Sequence, residues 1–339
     1  MSARIWLRRA GPEGWLMRLL TRPSAPTADL YIANACADWL ADGKLTRPGP
    51  TAFTTDSTLL LLRHDARLAP GLRRKRLVYL IDDAWEAGPR DASLSPFYRS
   101  KIALVERRAA RFYMPRAAAV VVSSPALLAS AQALTGAKVH LLDPYWSEPL
   151  PDLAHFAHPG TDIAFLGAQL HADDLRFLLP VLARTLDTHA DVTVTLSAGH
   201  ALPSELAAHP RLRLMAGLSW PAYRAALRDR RFHLALYPLR ATPFNAGRSR
   251  NKIVEHAVVG AAPLYSAGWP PGDAAAAAGA GLALPERPEI WAAAIAALIA
   301  DRPRMARMAA AARAHASRIN DPAAQRRLWA ALLDLGAAA

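Results

Sequence analysis

From about residue 58 the chain keeps one rhythm: short, branched apolar runs separated by longer stretches of helical period. The runs are Thr58–Leu62, Leu77–Ile81, Ala118–Ser123 and Val139–Leu142, then Asp162–Leu166, Val192–Leu196, Leu212–Met215 and Phe232–Tyr237. Between them lie Arg99–Tyr113, Pro125–Leu134, Asp174–Leu186, Pro221–Arg228 and Arg250–Val259. The runs are apolar continuously rather than alternately, which predicts strands covered on both faces: an α/β chain with parallel sheets. The segment Asp143–Gly160, with Pro144, Pro149, Pro151 and Pro159, separates two such series and reads as a hinge. A length of 339 residues suits two cores. The expectation is therefore an N-terminal domain over 1–148 with a short or divergent start, a second over 149–320, and a C-terminal helix over 321–339. The tail from Glu289 to Leu335 reads as helical throughout, with Trp291 and Trp329 as packing anchors.

The formal charge of +13 invites a nucleic-acid reading. Only five of the 41 cations are lysine, so the excess reflects arginine usage as much as a binding surface, and no aromatic-and-basic recognition motif accompanies it. No nucleic acid is expected as a partner. Two clusters stand out, Arg73-Arg74-Lys75-Arg76 and the string Arg107, Arg108, Arg111, Arg116. They suit phosphates, an anionic membrane surface, or a solvated basic face. The first 20 residues mix Arg4, Arg8, Arg9 and Arg18 with Trp6 and Trp15, but Gly11-Pro12-Glu13-Gly14 breaks the apolar stretch a secretory signal needs. They read as an interfacial helix or an amphipathic segment folded on the body. A single cysteine, Cys36, excludes an intramolecular disulfide and a multi-cysteine zinc site. No run reaches the ~20 apolar residues of a membrane span. The expected location is cytoplasmic, with peripheral contact at the inner face of the membrane as an option.

In open parallel sheets ligands bind beyond the carboxyl ends of the strands. After Phe232–Tyr237 comes PLRATPFNAGRSRNKIVEH, in which Asn245 and Gly247 make a flexible turn and Ser249 is a good N-cap. A helix N-terminus flanked by Arg248, Arg250 and Lys252 favours an anion such as a diphosphate. Lys252 and Glu255, three apart, share a helix face. Docked on a diphosphate, that helix sets Lys252 by the phosphates and Glu255 where a carboxylate accepts ribose hydroxyls; the alternative is an exposed intrahelical pair. After Asp162–Leu166 come Gly167, which permits a close backbone approach, His171 in the following loop, and Asp173 or Asp174 as a helix cap. After Leu77–Ile81 come Asp82 and Asp83, suited to polyol recognition or proton transfer, or to capping a turn.

These stretches, in this order, resemble the GT-B-fold glycosyltransferases, and among them the retaining, nucleotide-sugar-using "glycosyl transferases group 1" type of polysaccharide and cell-envelope synthesis. PLRATPFNAGRSRNKIVEHAVVGAAPLYS resembles that family's donor-site strand, loop and helix. LVYLIDDAW resembles its acceptor-domain aspartate pair. DIAFLGAQLHADDL and AGLSWPAYRAAL resemble the opening and a later loop–helix of its donor domain. The likeness covers roughly residues 76–320. It implies two Rossmann-like domains facing across a cleft. It also implies Lys252 on the donor diphosphate, Glu255 on the ribose, Asn245 and Ser249 on phosphate or sugar, Gly167 beside the diphosphate, and Asp82 or Asp83 near the acceptor.

The sequence departs from the family pattern at three places. The first glutamate of E-x7-E is replaced by Gly247. The basic residue after the donor-domain glycine is replaced by Ala168 and Gln169, leaving His171, Arg248 or Arg250 to supply charge. No glycine-rich loop is evident in residues 1–57. The leading expectation is transfer of a sugar from a nucleotide-diphosphate donor to a glycan or lipid-linked hydroxyl acceptor, with catalytic roles for Asp82, Asp83 and Lys252. No cofactor and no metal site are expected. The alternatives are a nucleotide-sugar epimerase or hydrolase, and a non-catalytic GT-B module serving a glycan-synthesis complex.

Overall fold

The computed structural model describes residues 25–64, 70–167, 172–197, 201–215 and 217–335. The basic N-terminal segment, the Arg73 side chain and His171 therefore lie outside the described residues. The chain divides into two compact units, Met1–Tyr145 with Pro322–Ala339, and Trp146–Asp321.

The first unit is built on six strands: β1 (Thr46–Gly49), β2 (Ala52–Thr54), β3 (Thr58–Leu62), β4 (Arg76–Ile81), β5 (Ala119–Val122) and β6 (Lys138–Leu141). They lie in the order β1-β2-β3-β4-β5-β6. The parallel sheet expected from the apolar runs is β3 to β6, and an antiparallel β1–β2 hairpin extends it at one edge. That hairpin went unread because Thr46-Arg47-Pro48-Gly49 is largely exposed and carries a proline and a glycine, tolerated in a strand only at an edge. In this sequential order the right-handed crossovers of β3 to β6 all pass over one face. They include α1 (Pro96–Lys101) and α2 (Arg107–Tyr113), joined by a π-helical turn at Ile102–Glu106, and α3 (Pro125–Gln132).

Every residue of β3 and β5 is buried, so the opposite face needs a cover from outside that series. Within the same unit the segment 25–41 and the last helix of the chain are pinned together. Fully buried Trp329 donates its indole N–H to the Tyr31 carbonyl at 2.6 Å. Gln325 donates to the carbonyls of Leu30 and Asp143 at 2.8 and 2.6 Å, and Arg326 pairs with Asp38.

The second unit holds β7 (Thr161–Phe165), β8 (Val192–Ser197), β9 (Leu212–Met215), β10 (Leu234–Tyr237), β11 (Ala262–Ser266) and β12 (Leu282–Leu284), all parallel. Their order is β12-β11-β10-β7-β8-β9. The chain starts at the centre, winds outward to β9, and returns to the other side of β7, so the switch in winding falls between β7 and β10. Apart from a single helical turn at Ser204–Ala207, the helices are α4 (Ala172–Thr188), α5 (Trp220–Arg228), α6 (Asn251–Val258), α7 (Pro270–Ala277), α8 (Pro288–Ala300) and α9 (Arg302–Ile319). Phe165, Leu178, Leu182, Leu236, Leu264, Trp291 and Leu298 form one continuous core. Gly260 turns α6 into β11 at φ +72°, where a Cβ would meet His155 Cε1 at 2.9 Å.

The tail read as one helical stretch is three helices serving two units. Asp301 caps α9 by accepting the Arg304 N–H at 2.9 Å, with a proline in the first turn. Trp291 anchors the second unit, whereas Trp329, on α10 (Pro322–Leu332), belongs to the first.

Candidate functional site

At the carboxyl ends of β7 and β10 the second unit concentrates the residues singled out from sequence. α6 begins at Asn251, one residue later than its N-cap serine suggested. Arg250 takes the cap position, and Ser249 Oγ accepts the Asn251 N–H at 3.3 Å. Asn251 Oδ1 accepts the indole N–H of Trp146 at 2.7 Å, which fixes the start of the helix. One residue on, Lys252 reaches across the switch and donates to the carbonyl of Leu166, just after β7, at 2.5 Å. It also pairs with Glu255 and lies 6.0 Å from the Tyr237 ring centroid. Lys252 is 13% exposed and Glu255 3%, so the pair is no exposed surface contact of small consequence.

A buried carboxylate loses several kcal/mol of hydration and persists only with partners. Glu255 has a second one: Tyr223, on α5, donates its hydroxyl to Oε1 at 2.5 Å. Burial and the adjacent carboxylate push the Tyr223 phenol well above its ordinary range, so it remains a donor at any working pH. Trp220 stacks near Tyr223 with centroids 6.0 Å apart and meets Trp146 edge-on at 5.3 Å. Arg224, on the same helix, pairs with buried Glu148 at 2.7 Å.

Around this pair the loop after β10 is shaped from within. The buried amide of Asn245 donates to the Arg240 carbonyl at 2.9 Å, and its backbone N–H donates to Thr242 Oγ1 at 3.1 Å. Arg248 lies over the Phe244 ring at 4.6 Å, and Arg240 pairs with Glu286 at 2.8 Å. Asp174 is not simply a helix cap: buried on α4, it accepts the Arg240 N–H at 3.1 Å, tying α4 to the loop after β10. Asp173 pairs with Arg176. Gly167 is buried, directly after the Leu166 carbonyl that holds Lys252.

The first unit carries a different cluster at the ends of β3 and β4. Arg63 follows β3 with a left-handed backbone, φ 58°, and a buried side chain. Its guanidinium contacts Glu106 at 2.9 and 3.1 Å, pairs closely with Asp83, and stands 3.4 Å from Asp82. Burial works against its charge, and the three carboxylates more than restore it. Asp82 and Asp83 thus belong to an ionic network rather than to a turn cap. Tyr98 donates to Asp83 at 2.6 Å and Thr27 to Asp82 Oδ2 at 2.8 Å, while Asp82 Oδ1 accepts no hydrogen bond. Burial, with Asp83 beside it, raises the Asp82 carboxyl above its usual range despite Arg63. Burial pushes His64 down to about 4, and Lys101, 3.6 Å from Glu106, is lowered by burial and by Arg63.

Sequence reading missed Arg63, Tyr223, Trp146 and Asn251. Tyr223 sat within a quoted motif, but nothing in its spacing pointed at a residue 32 positions away. Among the described residues, no group of three or more His, Cys, Asp or Glu side chains is placed to hold a metal ion, and no helix is long and apolar enough to cross a membrane.

Two α/β units, one of them doubly wound with the candidate residues at its switch, define the GT-B fold class, and solved structures share that fold. Staphylococcus aureus TarM, crystallised with Fondaparinux, alpha-GlcNAc-glycerol and UDP, aligns over 77% of this chain and 51% of its own, with 11% identity and a TM-score of 0.56. Anabaena HepE in complex with UDP and glucose aligns over 78% and 73%, with 17% identity and a TM-score of 0.55. WaaG, a glycosyltransferase involved in lipopolysaccharide biosynthesis, aligns over 76% and 77%, with 14% identity and a TM-score of 0.55. The chain spans about half the length of TarM. No protein-family model matches the sequence, and no curated protein matches it.

Proposed function

We propose that the chain is a glycosyltransferase, moving a sugar from a nucleotide-diphosphate donor to a hydroxyl acceptor in the synthesis of a polysaccharide or cell-envelope glycoconjugate. The observation that carries this reading is the buried Lys252–Glu255 pair at the switch between β7 and β10. A cation and a hydrogen-bond acceptor held one turn apart match a diphosphate next to a ribose. The resemblance to UDP-binding structures supports it.

In this reading Lys252, assisted by Arg248 and Arg250 and the N-terminus of α6, stabilises the charge that develops on the departing diphosphate. Glu255 accepts from the ribose hydroxyls through lone pairs that Tyr223 and Lys252 leave open. Gly167 gives the diphosphate backbone access beside β7. Asn245 and Ser249 shape the loop that receives phosphate or sugar. On the acceptor side Asp82 is the better of the two aspartates, because Asp83 is held by Arg63 and Tyr98 while Asp82 keeps an oxygen without a hydrogen bond. Retention of anomeric configuration is what the family resemblance implies.

Calorimetric titration with UDP, GDP and ADP tests the donor site. Binding of one of them, lost in Lys252→Ala and in Glu255→Ala, is expected and names the base. Absence of binding to all three overturns the reading and favours a non-catalytic module.

A further inference from the structure

The basic cluster at residues 73–76 plays no part in either of the sites above. Its last two members stand at the start of β4, beside the turn 55–57 that leads into β3. Arg76 donates to the Leu332 carbonyl at 2.7 Å and lies 3.8 Å from Asp334. Lys75 is half-buried and donates to Thr54 Oγ1 at 3.0 Å and to the Thr55 carbonyl at 2.5 Å. Both partners are neutral. Among the described residues no carboxylate pairs with Lys75, and the third N–H of its ammonium is uncommitted. Lys75 lines a cavity of about 340 Å³, within the range of roughly 300–1,000 Å³ of small-ligand sites. Lys44 is the second cation of its lining, and Asp56 and Asp334 are the carboxylates. Asp56 is exposed and pairs with no cation among the described residues. Asp334 meets Ser57, Thr58 and Arg76 through Oδ2 alone, which leaves Oδ1 uncommitted.

Small-ligand sites are mostly lined by apolar and aromatic side chains. Here Leu335 is the one large apolar residue of the lining among the described residues, so neither a lipid nor a stacked base finds its complement. Two carboxylates beside two ammonium groups give no net field for a polyanion. A hydroxyl uses both signs at once, donating to a carboxylate while it accepts from an ammonium. We propose that this cavity binds a polyhydroxylated ligand, a sugar or sugar alcohol, through Lys75, Lys44, Asp56 and Oδ1 of Asp334. It lies at the amino ends of β3 and β4, whereas Asp82 follows the carboxyl end of β4. The six residues of that strand set the two roughly 20 Å apart, so the cavity is separate from the acceptor carboxylate. The inference does not rest on the donor-site reading, since none of these residues lies in the second unit.

The test is titration of the full chain, without nucleotide, followed by ligand-detected NMR, with glucose, N-acetylglucosamine, sorbitol and inorganic phosphate as separate probes at millimolar concentrations. At least one of the three polyols should bind. Lys44→Ala/Asp56→Ala should weaken that binding by about fivefold or more, and Asp82→Asn should leave it intact. The unfolding midpoint of the double variant should stay in place, since both side chains are exposed. Three outcomes overturn the proposal. One is no binding of any polyol. Another is phosphate binding more tightly than every polyol, which makes the cavity an anion site. The third is any pattern other than loss in the double variant alone, which places the sugar outside this cavity.

Discussion

The two units each bury charge at the carboxyl ends of their strands, but to different ends. In the second, one cation and one carboxylate sit three residues apart on α6, with Tyr223 as the carboxylate's other partner. In the first, Arg63 gathers Asp82, Asp83 and Glu106 from β4's end and the π turn, up to 43 residues away. A pair on one helix can exchange a partner for a ligand while the helix stays put. A network spanning a strand end, a loop and a crossover helix holds the fold of its unit, and only its least bonded member, Asp82, has capacity left for anything else.

The largest expected effect tests the structural side of that contrast. Arg63→Met leaves three carboxylates buried around an apolar side chain, a change that costs about 3–5 kcal/mol. Denaturant unfolding should show a lowered midpoint of the first unit, and an unaltered midpoint would refute the fold-holding role. Asp83→Asn should follow in the same direction with less loss, whereas Asp82→Asn should reduce turnover more than stability.

Next in size is acid sensitivity. Burial holds His64, faced by Glu106, Arg63 and Lys101, at about 4. His233 in the second unit is likewise lowered to about 4 by burial and by Arg302, which approaches its Nε2 at 2.8 Å. Both histidines take up a proton near pH 6.5 when unfolded but only near 4 when folded. Their contribution is therefore complete above about 6.5 and is lost as pH falls toward 4, by about 3 kcal/mol for a fully buried group. Glu106, lowered by Arg63 although burial opposes it, extends the loss below its ordinary range. Asp82, with a raised carboxyl, contributes in the opposite sense, most at low pH. Unfolding midpoints against pH for His64→Gln and His233→Gln should each be flatter between 6.5 and 4 than for the parent chain.

On the catalytic side, Lys252→Ala should lower turnover at least about tenfold, roughly 1.4 kcal/mol, with the circular dichroism spectrum unchanged. Equal turnover in a folded variant removes Lys252 from the mechanism and leaves the pair as packing.

How much of this was legible follows from the range of the interactions. The eight strands read from apolar runs are all present. Six of them, β3 to β5, β7, β8 and β10, are largely buried and write themselves as continuous runs, while β6 and β9 are more exposed edge strands. β11, buried throughout, was not among the runs read. The Lys252–Glu255 pair was legible because helical spacing is a local rule. β1, exposed and interrupted by Pro48, shows no such run, and β12 is only three residues of intermediate burial. Arg63 was invisible for a different reason: an arginine after an apolar strand looks like the start of a solvated loop. Only the approach of β4's end and the π turn makes it the centre of a buried network. The division of the tail between two units was equally hidden, since the amphipathic pattern of α10 does not say which core it covers.

The smallest expected effect is the sharpest probe of the comparison. Tyr223→Phe removes one hydroxyl from Glu255 and leaves the ring, the ion pair and the stacking on Trp220 in place. A carboxylate that serves only the fold would register this as lost stability of about 1 kcal/mol and nothing else. A carboxylate that must hold one orientation to accept two ribose hydroxyls would lose nucleotide affinity by about fivefold as well, again about 1 kcal/mol. That loss should appear in KM for the donor rather than in kcat, because Glu255 meets the ribose equally in ground and transition states. Calorimetry on the variant, set beside its unfolding curve, separates the two. Reduced affinity, whatever the midpoint does, places Glu255 on the ligand, and a reduced midpoint with full affinity makes it a second example of what Arg63 does in the first unit.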